Sequence, residues 1–175
     1  EYLSLDNHVL LPGFVNLHTH AAMSIFRGIA DDKPLMEWLN DYIWPLETSH
    51  VSKEFVYDGT ALACTEMIKG GITCFNDMYF FPEHAAAAAL DIGMRAVLGV
   101  VIIEFPTKFA SDAEDYMRKG LLSRDNLIDE PLNTGYWSVT DWGGGDSPEI
   151  ENIIENQDDN WNKNKILENI DNKIR

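Results

Sequence analysis

Leu11-Pro12-Gly13-Phe14-Val15-Asn16-Leu17-His18-Thr19-His20 puts a turn, a short apolar run and two histidines into one stretch. Pro-Gly is turn chemistry. Phe14–His20 is short and apolar and runs into the small residues Ala21 and Ala22, the pattern of a strand that ends in a loop. Alternate side chains of a strand share a face, so His18 and His20 are expected to project together while Thr19 points away. Two imidazoles on one face can chelate a divalent cation through neutral nitrogens. They do not complete a zinc shell, which takes about three or four protein donors. Taken alone, the pair is better read as two histidines that happen to fall at a strand end than as a metal site.

Working outward, strands and helices alternate. Pro34–Leu46 carries Leu35, Trp38, Leu39, Tyr42 and Leu46 at helical spacing. Ser52 caps a second predicted helix with Phe55, Val56, Leu62 and Ile68 on its apolar face, closed by Gly70-Gly71. Ile72–Phe75 is a second strand with Asn76-Asp77-Met78 at its end. Pro82 opens an alanine-rich helix that Gly93 closes. Arg95–Ile103 is rich in Val and Ile, as a buried parallel strand should be. Ser111-Asp112-Ala113-Glu114 reads as a capping box for a helix to about Leu121. Strand then helix, repeated, predicts an α/β fold with a parallel sheet. At the C-terminal end of a buried parallel strand, the two histidines would face the mouth of that sheet, where such folds do their chemistry.

Composition bounds the function. The 175 residues are 45% hydrophobic, enough for a packed core and unlike a disordered chain. With 29 acidic against 13 basic residues the formal charge is −16, a field that repels polyphosphate, so no nucleic-acid partner is expected. The longest apolar runs, Ala85–Leu90 and Val97–Ile103, are too short to span a bilayer, and nothing at the start reads as a signal peptide. Cys64 and Cys74 make no disulfide framework and fit a reducing cytosol, so the expected location is cytoplasmic. The first residue is Glu1, not Met, and the start is expected to be missing.

Texture changes after Leu122. Residues 123–175 hold nine asparagines against four before them, and no alanine. Helical candidates there begin at Ser147-Pro148-Glu149, with Ile150, Ile153 and Ile154, and recur at Ile166, Leu167, Ile170 and Ile174. The expectation is a mostly polar appendage.

Several of these stretches together carry a resemblance. Leu11–His20, Met23-Ser24-Ile25-Phe26-Arg27-Gly28, Trp38-Leu39, Trp44-Pro45-Leu46-Glu47, Gly70–Tyr79 and Gly93-Met94-Arg95-Ala96 resemble, in the same order, the opening of the metal-dependent amidohydrolase superfamily. The likeness is to the branch of methylthioadenosine/S-adenosylhomocysteine deaminases and triazine hydrolases. It implies a partial (β/α)8 TIM-type barrel, the first three βα units, followed by a non-homologous polar tail. It also implies that His18 and His20 are ligands to a divalent metal, usually zinc, and that Glu47 holds ribose hydroxyls. Asp77 is expected to fix the strand end and not to ligate; Arg27 and Trp38 are expected to shape the pocket. His8, His50 and His84 receive no role.

The implied activity is hydrolytic deamination of an adenosine-type nucleoside. Metal-activated hydroxide attacks the amine-bearing ring carbon and ammonia leaves. In the family, the acid–base Glu and His and the remaining ligands fall later in the chain, so no catalytic residue is assigned here. Two features depart from the pattern. The likeness fades after Leu121-Leu122-Ser123-Arg124-Asp125, into a tail without histidine. Where some members that act on S-adenosylhomocysteine carry an Arg after Gly-Met-Arg, this sequence has Leu98-Gly99-Val100, which counts against amino-acid-bearing substrates.

The organisation expected is therefore a remnant β-sandwich strand over 1–11, the first part of the barrel over 12–122 and a divergent tail over 123–175. A complete barrel takes about 250 residues, so the chain reads as an N-terminal fragment, inactive by itself. A frameshift would produce the shift in Asn and Ala usage. Two alternatives stand beside the deaminase: a non-catalytic truncated chain or module completed by another chain, and a chlorohydrolase or a guanine- or cytosine-deaminase-like amidohydrolase. Expected partners are a small-molecule purine nucleoside or related heterocycle, with neither nucleic acid nor membrane; a homo-oligomer stays open.

Overall fold

The computed structural model describes residues 6–127 and the backbone of residues 139–141. Its centre is a parallel sheet in the order β1-β2-β3-β4. The strands are β1 (Phe14–Thr19), β2 (Ile72–Met78), β3 (Arg95–Ile102) and β4 (Val139–Asp141). Between them run a 3-10 segment (Ala21–Phe26), α1 (Leu35–Glu37), a π-helical segment (Trp38–Ile43), α2 (Trp44–His50), α3 (Lys53–Lys69), α4 (Pro82–Ile92) and α5 (Ala113–Leu127). Strand-helix alternation around a parallel sheet is the start of a TIM-type barrel, as the sequence predicts.

Most boundaries follow from single residues. The Ser52 hydroxyl accepts the N–H of Phe55 at 3.1 Å and starts α3. Gly71 and Gly93 stop α3 and α4 in the left-handed region, each at φ 80°. Pro45 sits inside a helical run yet does not break it. The preceding π-helical turn, in which Trp44 N–H reaches Leu39 O five residues back, takes up the missing donor and the bulk of the ring. This carries the helix to His50, beyond the predicted end at Leu46.

Three expectations change. The capping box is shifted by one residue: Asp112, not Ser111, caps α5, with its Oδ1 accepting Asp115 N–H at 2.9 Å. The Asp112 carboxylate only accepts, which suits the unpaired N–H groups of the first turn, while the Ser111 hydroxyl donates to Asp112 Oδ2 at 2.8 Å. Helix α5 runs past Leu121 to Leu127, because its buried face of Tyr116, Met117 and Gly120 continues through Ser123 and Leu127. A fourth strand, β4, pairs with β3 through Val100–Val139, Val101–Thr140 and Ile102–Asp141, where the sequence showed none. It is too short to leave an alternation pattern. The two helices expected from Ser147 and from Ile166 lie outside the described residues.

The main core forms where α3 and α4 cover one face of the sheet. It gathers Val56, Ala63, Cys64 and Met67 with Phe75, Ala96 and Leu98. The alanine run buries Ala85, Ala86, Ala88 and Ala89, and small side chains let α4 approach α3 and β3 closely. Burial holds the Cys64 thiol up at about 12, so it behaves as a core residue. Strand β3 is almost wholly covered, whereas β1, at the sheet edge, exposes Phe14, Val15 and Leu17.

Candidate functional site

The two histidines share a face, as alternation predicts, but an irregularity in β1 puts Asn16 on the opposite face. Asn16 pairs with Phe75, and Thr19 pairs with Asp77. One extra residue of β1 therefore lies between these pairs, a β-bulge. Pairing of this kind puts Asn16 and Thr19 on the side of Phe75 and Asp77, although odd spacing would place them on opposite sides. Their contacts agree: Asn16 Nδ2 lies 3.9 Å from Met67 Sδ on α3, and Thr19 Oγ1 lies 2.7 Å from Asp77 Oδ1. His18 and His20 are left on the other face, with ring centroids 5.1 Å apart and planes at 84°.

Backbone and buried groups hold His20. Its Nδ1 lies 2.7 Å from the carbonyl oxygen of Met78 at the end of β2. A carbonyl only accepts, so in the neutral ring the proton sits on Nδ1 and the lone pair on Nε2, the arrangement of a metal-ligating imidazole. Asp77, 2% exposed, accepts Ala21 N–H at 2.7 Å and the Thr19 hydroxyl, gripping the residues on both sides of His20. Burial pushes the Asp77 carboxyl up, against these hydrogen bonds. Asp77 thus fixes the strand end, as expected.

Glu47 comes from α2 and is half-buried. Tyr79, the residue after β2, donates its phenol proton to Glu47 Oε1 at 2.8 Å. Burial raises the Glu47 carboxyl above its ordinary value, and the Tyr79 hydrogen bond opposes that rise. His20, Trp38, Trp44, Glu47, Tyr79 and Phe105 line one cavity of about 120 Å³. A wider cleft of about 550 Å³ adjoins it and shares Trp44, Glu47 and Phe105. The structure thus brings His20 and Glu47 to one cavity, with His18 beside His20 on the exposed strand. One imidazole, one carboxylate and aromatic walls around the same space suit a flat heterocycle that carries hydroxyls.

The donor chemistry fits a divalent cation, but only as part of a shell. His18 and His20 are adjacent imidazoles, one with its tautomer set. Among the described residues no group of three or more His, Cys, Asp or Glu converges to hold an ion.

Other expectations divide. Trp38 lines the cavity. Arg27 does not: its guanidinium turns outward to a bidentate pair with Glu66 of α3, at 2.9 and 2.6 Å, because a fork of donors matches a carboxylate on the neighbouring helix. His50 ends α2, where its Nδ1 lies 2.6 Å from Ser49 Oγ, away from the histidine pair. Tyr79 was not singled out by the sequence. Its signals there are its place at the end of the Gly70–Tyr79 stretch that carries the resemblance and its position immediately after a strand whose end carries Asp77.

The family model described as "Amidohydrolase family" matches residues 9–151, passing the boundary expected at residue 122. A 5-methylthioadenosine/S-adenosylhomocysteine deaminase of Saccharophagus degradans is 51% identical over 149 residues, covering 85% of this chain and 33% of that protein. A 5'-deoxyadenosine deaminase of Methanocaldococcus jannaschii is 54% identical over 104 residues, covering 59% of this chain and 24% of that protein. A crystal structure of an adenosine deaminase from Xanthomonas campestris with bound zinc superposes with a TM-score of 0.69 at 46% identity, covering 73% of this chain and 29% of that one. The chain therefore spans about a third or less of the length of these relatives.

Proposed function

The chain belongs to the amidohydrolase family, and from that premise we propose that it forms the opening part of a metal-dependent aminohydrolase acting on an adenosine-type nucleoside. His18 and His20 hold a divalent metal, zinc, and Glu47 receives the ribose hydroxyls. The observation that carries the proposal is the shared cavity: His20, with its tautomer set by Met78, faces the same space as Glu47.

Zinc held by His18, His20 and ligands outside the described residues would lower the pKa of a water molecule toward neutrality and so make a nucleophile available at ordinary pH. The chain's own residues position what reacts. Met78 and Asp77 orient His20 and the turn behind it. An ionised Glu47 only accepts, so it suits a vicinal pair of hydroxyl donors. Trp38, Trp44 and Phe105 offer aromatic surface to the heterocycle. Names of relatives support the substrate class: they are deaminases of methylthioadenosine, S-adenosylhomocysteine and 5'-deoxyadenosine.

Ammonia release from adenosine or methylthioadenosine by the whole protein loaded with zinc tests the reading. Turnover that disappears in His18→Ala/His20→Ala supports it; turnover unaffected by that double change refutes the assignment. The 175 residues alone, with two imidazoles converging among those described, are expected to stay at background.

A further inference from the structure

Tyr79 links the two ends of the cavity. Its side chain is buried, its ring centroid lies 6.4 Å from that of His20 and 5.0 Å from that of Phe80, and its phenol reaches Glu47 Oε1 at 2.8 Å. Glu47 stands on α2, a short helix that packs on the π-helical segment, whereas Tyr79 continues directly from β2. The phenol therefore ties a helix-borne carboxylate to the rigid sheet that also positions His20. The direction of the bond is fixed, since an ionised carboxylate has no proton to give. A carboxylate offers about four acceptor directions, so Tyr79 occupies one and leaves the rest for other donors.

We propose that Tyr79 is a positioning residue that holds the Glu47 carboxylate at a set distance from His20 and so fixes the preference for a substrate bearing both ribose hydroxyls. The proposal rests on the reading of Glu47 given above. Tyr79 itself touches no reacting atom. Without its phenol, Glu47 spreads over its rotamers, and that freedom is lost again each time a diol binds. The cost falls on binding, not on the chemical step.

The test uses the whole zinc-loaded protein with adenosine and 2'-deoxyadenosine as substrates. Calorimetric titration with inosine and 2'-deoxyinosine adds a readout that needs no turnover. Tyr79→Phe is expected to raise KM for adenosine about tenfold, the scale of one hydrogen bond to a charged group, while kcat stays within about twofold. The 2'-deoxy compounds lose less, so the ribose preference shrinks in both assays. An unchanged preference in Tyr79→Phe, with a preference abolished in Glu47→Gln, overturns the role of Tyr79 and leaves the reading of Glu47 intact. A preference unchanged in Glu47→Gln overturns both. If Tyr79→Phe does not fold, 3-fluorotyrosine at position 79 keeps the shape and alters only donor strength. A preference that moves with fluorination supports the proposal, and one that does not refutes it.

Discussion

Asp77 Oδ1 accepts the backbone N–H of Ala21 at 2.7 Å, reaching from β2 to the residue just past His20, which follows β1. The Thr19 hydroxyl lies 2.7 Å from the same oxygen. One buried atom therefore sets the backbone on either side of His20.

Removing that atom is expected to be costly. Asp77→Ala strands the buried Ala21 N–H, whereas the Thr19 hydroxyl keeps the Asn76 carbonyl oxygen as an acceptor at 2.9 Å, for an expected loss of about 1–3 kcal/mol. Asp77→Asn keeps an oxygen at the position of Oδ1 and is expected to lose less than about half as much. Urea unfolding midpoints of the two variants decide this, and equal losses would show that the bonds to Oδ1 are not what matters.

Glu47 gives a pH signature. Burial raises its folded value above the ordinary 4.5. Stability tied to its proton is therefore complete below the unfolded value and is lost as pH rises through the folded one. Glu47→Gln is neutral at every pH, so the metal-free variant should melt above the parent at pH 7 and with it near pH 4. A parent that melts higher at pH 7 would mean that the Tyr79 hydrogen bond outweighs burial.

Zinc binding should depend on the histidine pair. Competition with a chromophoric chelator is expected to show affinity in the parent that is lost in His18→Ala/His20→Ala. Metal-ligand binding is the same free energy that stabilises the folded site, so a zinc-induced rise in melting temperature should vanish with it. Tight binding that survives the double change would place the metal elsewhere.

Gly59 marks the closest approach of α3 to the 3-10 segment behind the histidines. A Cβ there would lie 2.8 Å from Ala22 Cα and 2.9 Å from its carbonyl carbon, against backbone that cannot swing aside. Gly59→Ala is expected to destabilise by about 1–3 kcal/mol by overpacking, despite the better helix propensity of alanine. A thermal melt at or above that of the parent would show that α3 can shift outward.

Much of the frame was legible because it is written in local chemistry. Ser52, Gly71, Pro82 and Gly93 punctuate helices by hydrogen-bonding and φ preferences that operate within a turn. The histidine pair was legible too, although for an incomplete reason. Alternation alone would have paired Asn16 with His18 and His20; the bulge between Asn16 and Thr19 separates them, and no one-dimensional pattern announces it. Glu47 was picked out only through resemblance, since a carboxylate on a helix is ordinary. Its partner Tyr79 lies 32 residues away, beyond the reach of any periodicity. Arg27 misled because its partner, Glu66, is 39 residues distant and on the surface, where many pairings are possible. Strand β4 was missed because three residues carry too little pattern.

The sheet order also sets a timetable. Thr73 and Arg95, in touch across β2 and β3, are 22 residues apart, whereas Thr19 and Asp77, across β1 and β2, are 58 apart. Closing the longer loop costs roughly 0.9 kcal/mol more in chain entropy. The β2-α4-β3 unit is therefore the cheaper nucleus, and β1 docks onto a platform already standing. The imidazoles are therefore expected to arrive onto Met78 and Asp77 already in place, so that the socket is built before the pair that fills it is delivered.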